Sequence, residues 1–169
     1  MKNKLEPSNS PDDDFYYIAL EHIQGETGRL LSPPTVKGSF LQSQKSRFQK
    51  GDVLYGRLRP YLNKVAITDA PGVCSTDLLV LRCQTPQLLQ IMLMRPDFVE
   101  SAKARMKGTN HPRIGTDDFL QTAIPWPNPK QQQSLLKEIT AYQTKRAAAE
   151  AQLTAAPKKK RQIVLNGLK

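Results

Sequence analysis

Lys50-Gly51-Asp52-Val53-Leu54-Tyr55-Gly56-Arg57-Leu58-Arg59-Pro60-Tyr61-Leu62-Asn63-Lys64 is the stretch on which the fold of this chain turns. Gly51-Asp52 marks a turn. Val53 to Leu58 alternates imperfectly, with Val53, Tyr55 and Arg57 on one face of an extended chain and Leu54 and Leu58 on the other, which predicts a strand that stops before Pro60. In such a strand Arg57 and Arg59 point to one side. Tyr61 and Lys64 follow where Pro60 stiffens the backbone. An arginine fork suits a backbone phosphate or the O6 and N7 of guanine, so the same residues carry a functional reading.

Charge on either side of this stretch is uneven. Residues 1–36 hold three basic and six acidic side chains, whereas residues 37–64 hold Lys37, Lys45, Arg47, Lys50, Arg57, Arg59 and Lys64 against Asp52 alone. Residues 65–118 are neutral, and residues 119–169 carry nine basic side chains against Glu138 and Glu150, within a net charge of +10. Two basic segments flanking a neutral middle imply a polyanionic partner, and nucleic acid leads an acidic membrane because no amphipathic helix with bulky apolar anchors is visible. A merely solvated basic surface is the plainer alternative.

The rest of the chain predicts an α+β domain, a curved mixed sheet of about five strands with short helices, followed by a long coiled-coil-like helix. Phe15–Leu20, Lys64–Thr68 and Thr76–Arg82 read as strands, with a turn at Asp69-Ala70-Pro71-Gly72 between the last two. Helices are expected from Pro86 and from Pro96 to about Lys107, then a loop at 108–113, a helix start at Thr116 with Phe119 and Leu120 inward, and a short strand from Ala123 to Trp126. After Pro129 the composition turns to Gln, Ala, Lys and Leu, strong helix formers. Leu135, Ile139, Tyr142, Arg146, Ala149 and Leu153 recur at alternating spacings of four and three, an a/d seam that fits either a partner helix or packing on the domain. Pro157 should break or kink this helix before the basic run Lys158-Lys159-Lys160-Arg161. The expected organisation is a flexible segment 1–14, a domain 15–128 and a helix 129–169 with a basic end.

Several chemistries lack support in the sequence. There is no phosphate-binding Gly-x-x-x-x-Gly-Lys-Ser/Thr loop and no Gly-x-Gly-x-x-Gly fingerprint. Ser32-Pro33-Pro34-Thr35 is a poor imitation of the amino-methyltransferase tetrapeptide, and no glutamate stands two residues before a lysine as metal nucleases require. His22 and His111 lie far apart without a nucleophile. Cys74 and Cys83 fit no zinc spacing and read as small buried residues. No catalytic residue, cofactor or metal is therefore expected. The 169 residues contain no apolar run near the ~18 needed to cross a membrane, and no apolar stretch follows Lys2 and Lys4, so a soluble, cytoplasmic chain is expected.

The stretch 50–64 closely resembles a motif of type I restriction-modification specificity subunits, whose usual form is Gly-Asp-Ile/Val-Leu-Phe/Tyr-Gly/Ser-Lys/Arg-Leu-Arg-Pro-Tyr. Further matches follow in order: Tyr17–Ile23, Gly72–Leu81, Gly108–Ile114, Ile124-Pro125-Trp126-Pro127 and Arg161–Asn166. The resemblance spans about residues 15–168 and implies one target recognition domain with its spacer helix, a half subunit or a fragment, because family subunits normally carry two of each. Asn128-Pro129-Lys130-Gln131 departs from the family, which usually has a proline and then glutamates.

The resemblance implies a non-catalytic bacterial protein that reads part of a split double-stranded DNA target for a methyltransferase subunit and a restriction/translocase subunit. A homodimer or pairing with a second recognition domain is implied, with the methyltransferase on the helix near Gln131, Lys137, Lys145 and Arg146. Because the motif recurs in domains with different targets, Arg57 and Arg59 should hold phosphate or the fold rather than choose a base, base readout remaining open. The loop Lys107, Gly108, Thr109, Asn110, His111, Arg113 suits close approach to a duplex; Asn110 fits adenine or a turn bonding its own backbone. The polar segment 37–47, with Lys37, Gln44, Lys45 and Arg47, is the preferred place for sequence-specific contacts. The competing class is an interaction or inhibitory protein that uses this fold and helix to bind a protein.

Overall fold

The computed structural model describes residues 4–167, which divide after Trp126 into two compact units. In chain order the strands and helices are β1 (Lys4–Leu5), β2 (Asp14–Ile18), β3 (Thr35–Lys37), β4 (Lys45–Phe48), β5 (Val53–Gly56), β6 (Val65–Ile67), β7 (Gly72–Cys74), β8 (Leu78–Leu81), α1 (Pro86–Met94), α2 (Pro96–Ala104), β9 (Met106–Lys107), β10 (Arg113–Ile114), α3 (Thr116–Leu120) and α4 (Pro129–Gly167). The class is α+β with mixed sheets, short helices and a long C-terminal helix, as expected. The strands do not form one sheet, however. A five-stranded sheet has the order β1-β4-β7-β2-β3, a three-stranded sheet has the order β6-β5-β8, and β9 pairs with β10 as a separate hairpin.

The strand of the decisive motif explains its imperfect alternation. Val53 and Tyr55 of β5 join one core with Val65, Leu93, Phe98, Ala102, Ile114 and Phe119, while Leu54 joins another with Ile18, Ile23, Phe48, Ala66, Cys74 and Leu78. A strand buried on both faces reads as a continuous apolar run. The first core is centred on three rings, with Tyr55 and Phe119 centroids 4.7 Å apart and Phe98 6.0 Å and 5.9 Å from them. Edge-to-face and tilted ring pairs of this kind add to the area they bury.

Several expectations are corrected. The anticipated turn at 69–72 ends in a strand, β7, which lies between β4 and β2. Its first residue has to be glycine, because a Cβ at Gly72 would stand 2.3 Å from the carbonyl oxygen of Tyr16. Residues 45–47, expected within the polar segment 37–47, belong to β4, which ends at Phe48. Ala123–Trp126 is not a strand; Pro125 and Pro127 remove donors at alternate positions, and no ladder can form. The second helix stops at Ala104, and Leu120 is 71% exposed while Phe119 is buried.

Residues 4–14 are also built into the first unit rather than forming a free tail. β1 pairs with β4, and the single 3-10 turn at Pro7–Asn9 packs on the one at Gly38–Phe40, where Gly38 N–H donates to the Asp13 carbonyl at 2.9 Å. Residues 1–3 lie outside the described residues.

The second unit is α4 and its lead-in. Asn128 and Gln131 cap it reciprocally: the Gln131 N–H donates to Asn128 Oδ1 and the Asn128 N–H to Gln131 Oε1, both at 3.0 Å. Asn128 and Gln131 thus form a capping box at the helix N-terminus. Pro157 does not end the helix but lies inside it. Of the basic run, the side chains of Lys158, Lys159 and Arg161 lie outside the described residues, as do those of the match at 161–166. Along the seam Leu135, Ile139 and Arg146 are half-buried, whereas Tyr142, Ala149 and Leu153 are exposed, Tyr142 and Leu153 by 69% and 73%.

Candidate functional site

Beyond Gly56 the motif leaves its sheet and is joined to the hairpin 106–114. Arg57 N–H donates to the Asp77 carbonyl at 2.9 Å, Ile114 N–H to the Arg57 carbonyl at 3.0 Å and Arg59 N–H to the Pro112 carbonyl at 2.8 Å, with Leu58 bridged to Arg113. The Arg57 side chain returns to the same place, its Nε donating to the Ile114 carbonyl at 3.2 Å. Arg59 has φ +48°, a left-handed conformation that a residue before proline rarely takes. The expected strand thus ends two residues early, and the two arginines are oriented by these backbone bonds, not by strand periodicity. Gly108, at φ +98°, supplies the turn that returns β9 into β10.

The cations gathered here differ in how far they are engaged. Arg113 Nε lies 2.8 Å from Asp77 Oδ1, and Lys107 Nζ lies 2.9 Å from Asp118 Oδ2. Arg59 is exposed, and its guanidinium makes only a marginal 3.5 Å contact with the Asn110 carbonyl. Thr109, Asn110 and His111 are exposed and their side chains make no hydrogen bond among the described residues, so the turn-type bond considered for Asn110 is not formed. Tyr61, 43% exposed, follows in the 3-10 turn Pro60–Leu62. Lys64 is spent internally, its Nζ donating to the Leu20 carbonyl at 2.8 Å.

The segment 37–47 is not the uniform contact surface that its composition suggests. Lys37 pairs with Asp14 at 3.1 Å and donates to the Asp12 carbonyl. Lys45 is a correction: it is only 7% exposed, and its ammonium donates to the Gln42 and Ser43 carbonyls and to Ser43 Oγ, fixing a loop in which Ser43 has φ +69°. Burial pushes its pKa below the usual lysine value. Gln44 and Arg47 are exposed, and no hydrogen bond or ion pair among the described residues engages the Arg47 side chain. No bond among the described residues links this segment to the hairpin.

Two groups that the sequence did not single out hold the site in shape. Asp77 ties Arg113, as above. Asp52, 2% exposed, accepts from Arg82 Nε and Nη2 at 2.7 and 2.8 Å and from the Gln49 N–H at 2.7 Å, locking the entry to β5. Burial raises its pKa, but the Arg82 and Gln49 hydrogen bonds and the Arg82 charge outweigh that and hold it below the usual carboxylate value. The cation that each carboxylate holds is far off in sequence, Arg82 lying thirty positions from Asp52 and Arg113 thirty-six from Asp77.

His22 is structural, its Nδ1 accepting from the Ala19 N–H at 3.0 Å. Both cysteines are free; Cys74 is buried, which pushes its thiol up to about 12, and Cys83 is half-buried. Among the described residues no group of three His, Cys, Asp or Glu side chains is placed to hold a metal, and no helix is long and apolar enough to cross a membrane. On α4, Gln131 is engaged in the cap and Arg146 pairs with Glu150 at 3.1 Å, leaving Lys137 and Lys145 exposed.

No family model matches the chain. The specificity subunit of the type I restriction enzyme EcoDI of Escherichia coli is 28% identical over 127 residues, which are 73% of this chain and 28% of that protein. A solved structure described as the structural basis of complex assembly and conformational transition of the type I R-M system contains a chain that superposes on all of this one with a TM-score of 0.73 at 24% identity. The HsdS subunit from Thermoanaerobacter tengcongensis superposes on 90% of it with a TM-score of 0.71 at 25% identity. This chain covers 46% and 42% of those two chains, less than half of each.

Proposed function

We propose that this chain, a homologue of type I restriction-modification specificity subunits spanning about half of a full-length one, is a non-catalytic DNA-reading module for a partner methyltransferase. The observation that carries the reading is the joining of Arg57 and Arg59 to the hairpin 106–114, which holds an exposed guanidinium beside Thr109, Asn110 and His111, all three free to bond. Phosphate contacts from Arg57 and Arg59 position the module, and Asn110 and His111 reach base edges. Residues 15–128 read DNA and the helix 129–169 joins partners. A second copy or a related recognition domain pairs along Leu135, Ile139, Tyr142, Arg146, Ala149 and Leu153, and the methyltransferase subunit contacts the helix surface around Lys137 and Lys145, with the restriction/translocase subunit joining that assembly.

The test is binding to a randomised duplex pool, followed by fluorescence anisotropy as salt is varied. The logarithm of affinity should fall linearly with that of salt, by about 0.9 for each phosphate contact. Arg59→Ala should lower affinity and slope for every sequence, and Asn110→Ala should change the sequences selected. Equal binding by wild type and Arg59→Ala at low salt overturns the reading.

A further inference from the structure

A second concentration of positive charge lies beside the hairpin. Lys4 of β1, Arg47 of β4, Arg57 at the exit of β5 and Arg82 beyond β8 line a cleft of about 630 Å³ floored by β8, with Gln49 and Thr76 among its polar lining and no acidic side chain in its wall. The four cations come from four separate parts of the chain, the first two from one sheet and the others from around the second. Among the described residues Arg82 alone of the four is ion-paired, with Asp52. Lys4 and Arg47 are exposed and make no side-chain bond among the described residues. Like charges converging on a concave, partly shielded wall repel one another and focus a positive potential into the cleft, a cost that an anion entering it removes.

We propose that this cleft is a second phosphate-contact site, taking the phosphodiester backbone of the duplex next to the part read by the hairpin, with Lys4 and Arg47 as its principal contacts. The inference rests on the DNA-reading function. Arg57 makes the two surfaces continuous: its Nε is held by the Ile114 carbonyl of the hairpin while its side chain lines the cleft. The lining suits phosphate rather than a base, because it offers charged and hydroxyl donors over an aliphatic floor and no exposed aromatic ring on which a base would stack. Lys4 lies in the block 1–36, where acidic side chains outnumber basic ones, and Arg82 lies in the neutral middle. Neither was therefore visible as part of a contact surface.

Salt-dependent anisotropy on the full chain with a mixed-sequence duplex tests this, comparing wild type, Lys4→Ala/Arg47→Ala, Arg59→Ala and Arg47→Lys. Losing two phosphate contacts should reduce the salt slope by about 1.8 without altering sequence preference, and Arg47→Lys should keep the wild-type slope. Circular dichroism melting checks that the double variant is folded; should it melt early, Arg47→Gln alone is read, with an expected slope change of about 0.9. A folded double variant with the wild-type slope, while Arg59→Ala still weakens binding, overturns the cleft and leaves the DNA-reading function standing. No duplex binding by wild type at low salt removes both. Thermal stabilisation by inorganic tripolyphosphate that the double variant loses, with DNA binding unchanged, would assign the cleft to free phosphate and also overturns the proposal.

Discussion

Replacing Asp52 by alanine tests whether the aspartate of the Gly-Asp pair serves the fold. The carboxylate is 3% exposed and accepts three hydrogen bonds, two from Arg82 and one from the Gln49 N–H. A hydrogen bond to a charged group contributes about 1.5–3 kcal/mol, and a buried donor left without its partner costs about 1–3 kcal/mol. Arg82 stands half in water, so its two bonds compete with solvent and are discounted, and the Gln49 end carries most of the effect. The expected loss at neutral pH is about 2–3 kcal/mol, read by urea denaturation with an unchanged dependence on denaturant.

Because the folded pKa lies below the usual value, this stabilisation is complete above the unfolded pKa of about 3.9 and is lost as pH falls through the folded value. The difference between wild type and Asp52→Ala should therefore be level from about pH 5 to 8 and shrink below about pH 4. Asp52→Asn, which keeps an acceptor oxygen without the charge, should lose less. An alanine variant as stable as wild type at neutral pH refutes the argument, as does a difference that does not shrink on acidification.

Phe98→Ala, removing one of the three rings of the first core, should cost about 3–5 kcal/mol in the same assay. Leu135→Asp combined with Ile139→Asp should leave the first unit folded while giving monomers and weaker DNA binding, because avidity from a second linked reader is lost; sedimentation of a monomeric wild type at high concentration would contradict it. The purified chain should transfer no labelled methyl group to a duplex pool, and transfer should appear on mixing with its cognate methyltransferase; incorporation by the chain alone, abolished by a point change within it, would contradict the reading as a specificity module.

The parts of the fold legible in sequence are those set by local chemistry. Proline at the first turn of α1, α2 and α4 and the glycine-free run after Pro129 marked those helices. What escaped depends on distant partners. β7 is a three-residue strand defined by its neighbours β2 and β4, with only a glycine to announce it. Lys45 has the composition of a surface cation, and only the folded loop shows its ammonium turned onto the Gln42 and Ser43 carbonyls. The pairing of Arg57 and Arg59 with the hairpin was similarly hidden. Both segments were singled out, but the bonds between them span more than fifty residues, and Arg59 adopts a backbone conformation that a period-two reading cannot anticipate.

The position of β5 as a wall shared by both cores has a dynamic consequence. Neither core can open without withdrawing a face of the same four residues, so the first unit should lose its structure in one cooperative step. Hydrogen exchange at the amides of Leu54 and Tyr55 should then report global unfolding, while the exposed residues 108–111 exchange through local opening. A reading loop can thus be rebuilt with little effect on the strand behind it, whereas a change within Val53–Gly56 is felt by the whole unit.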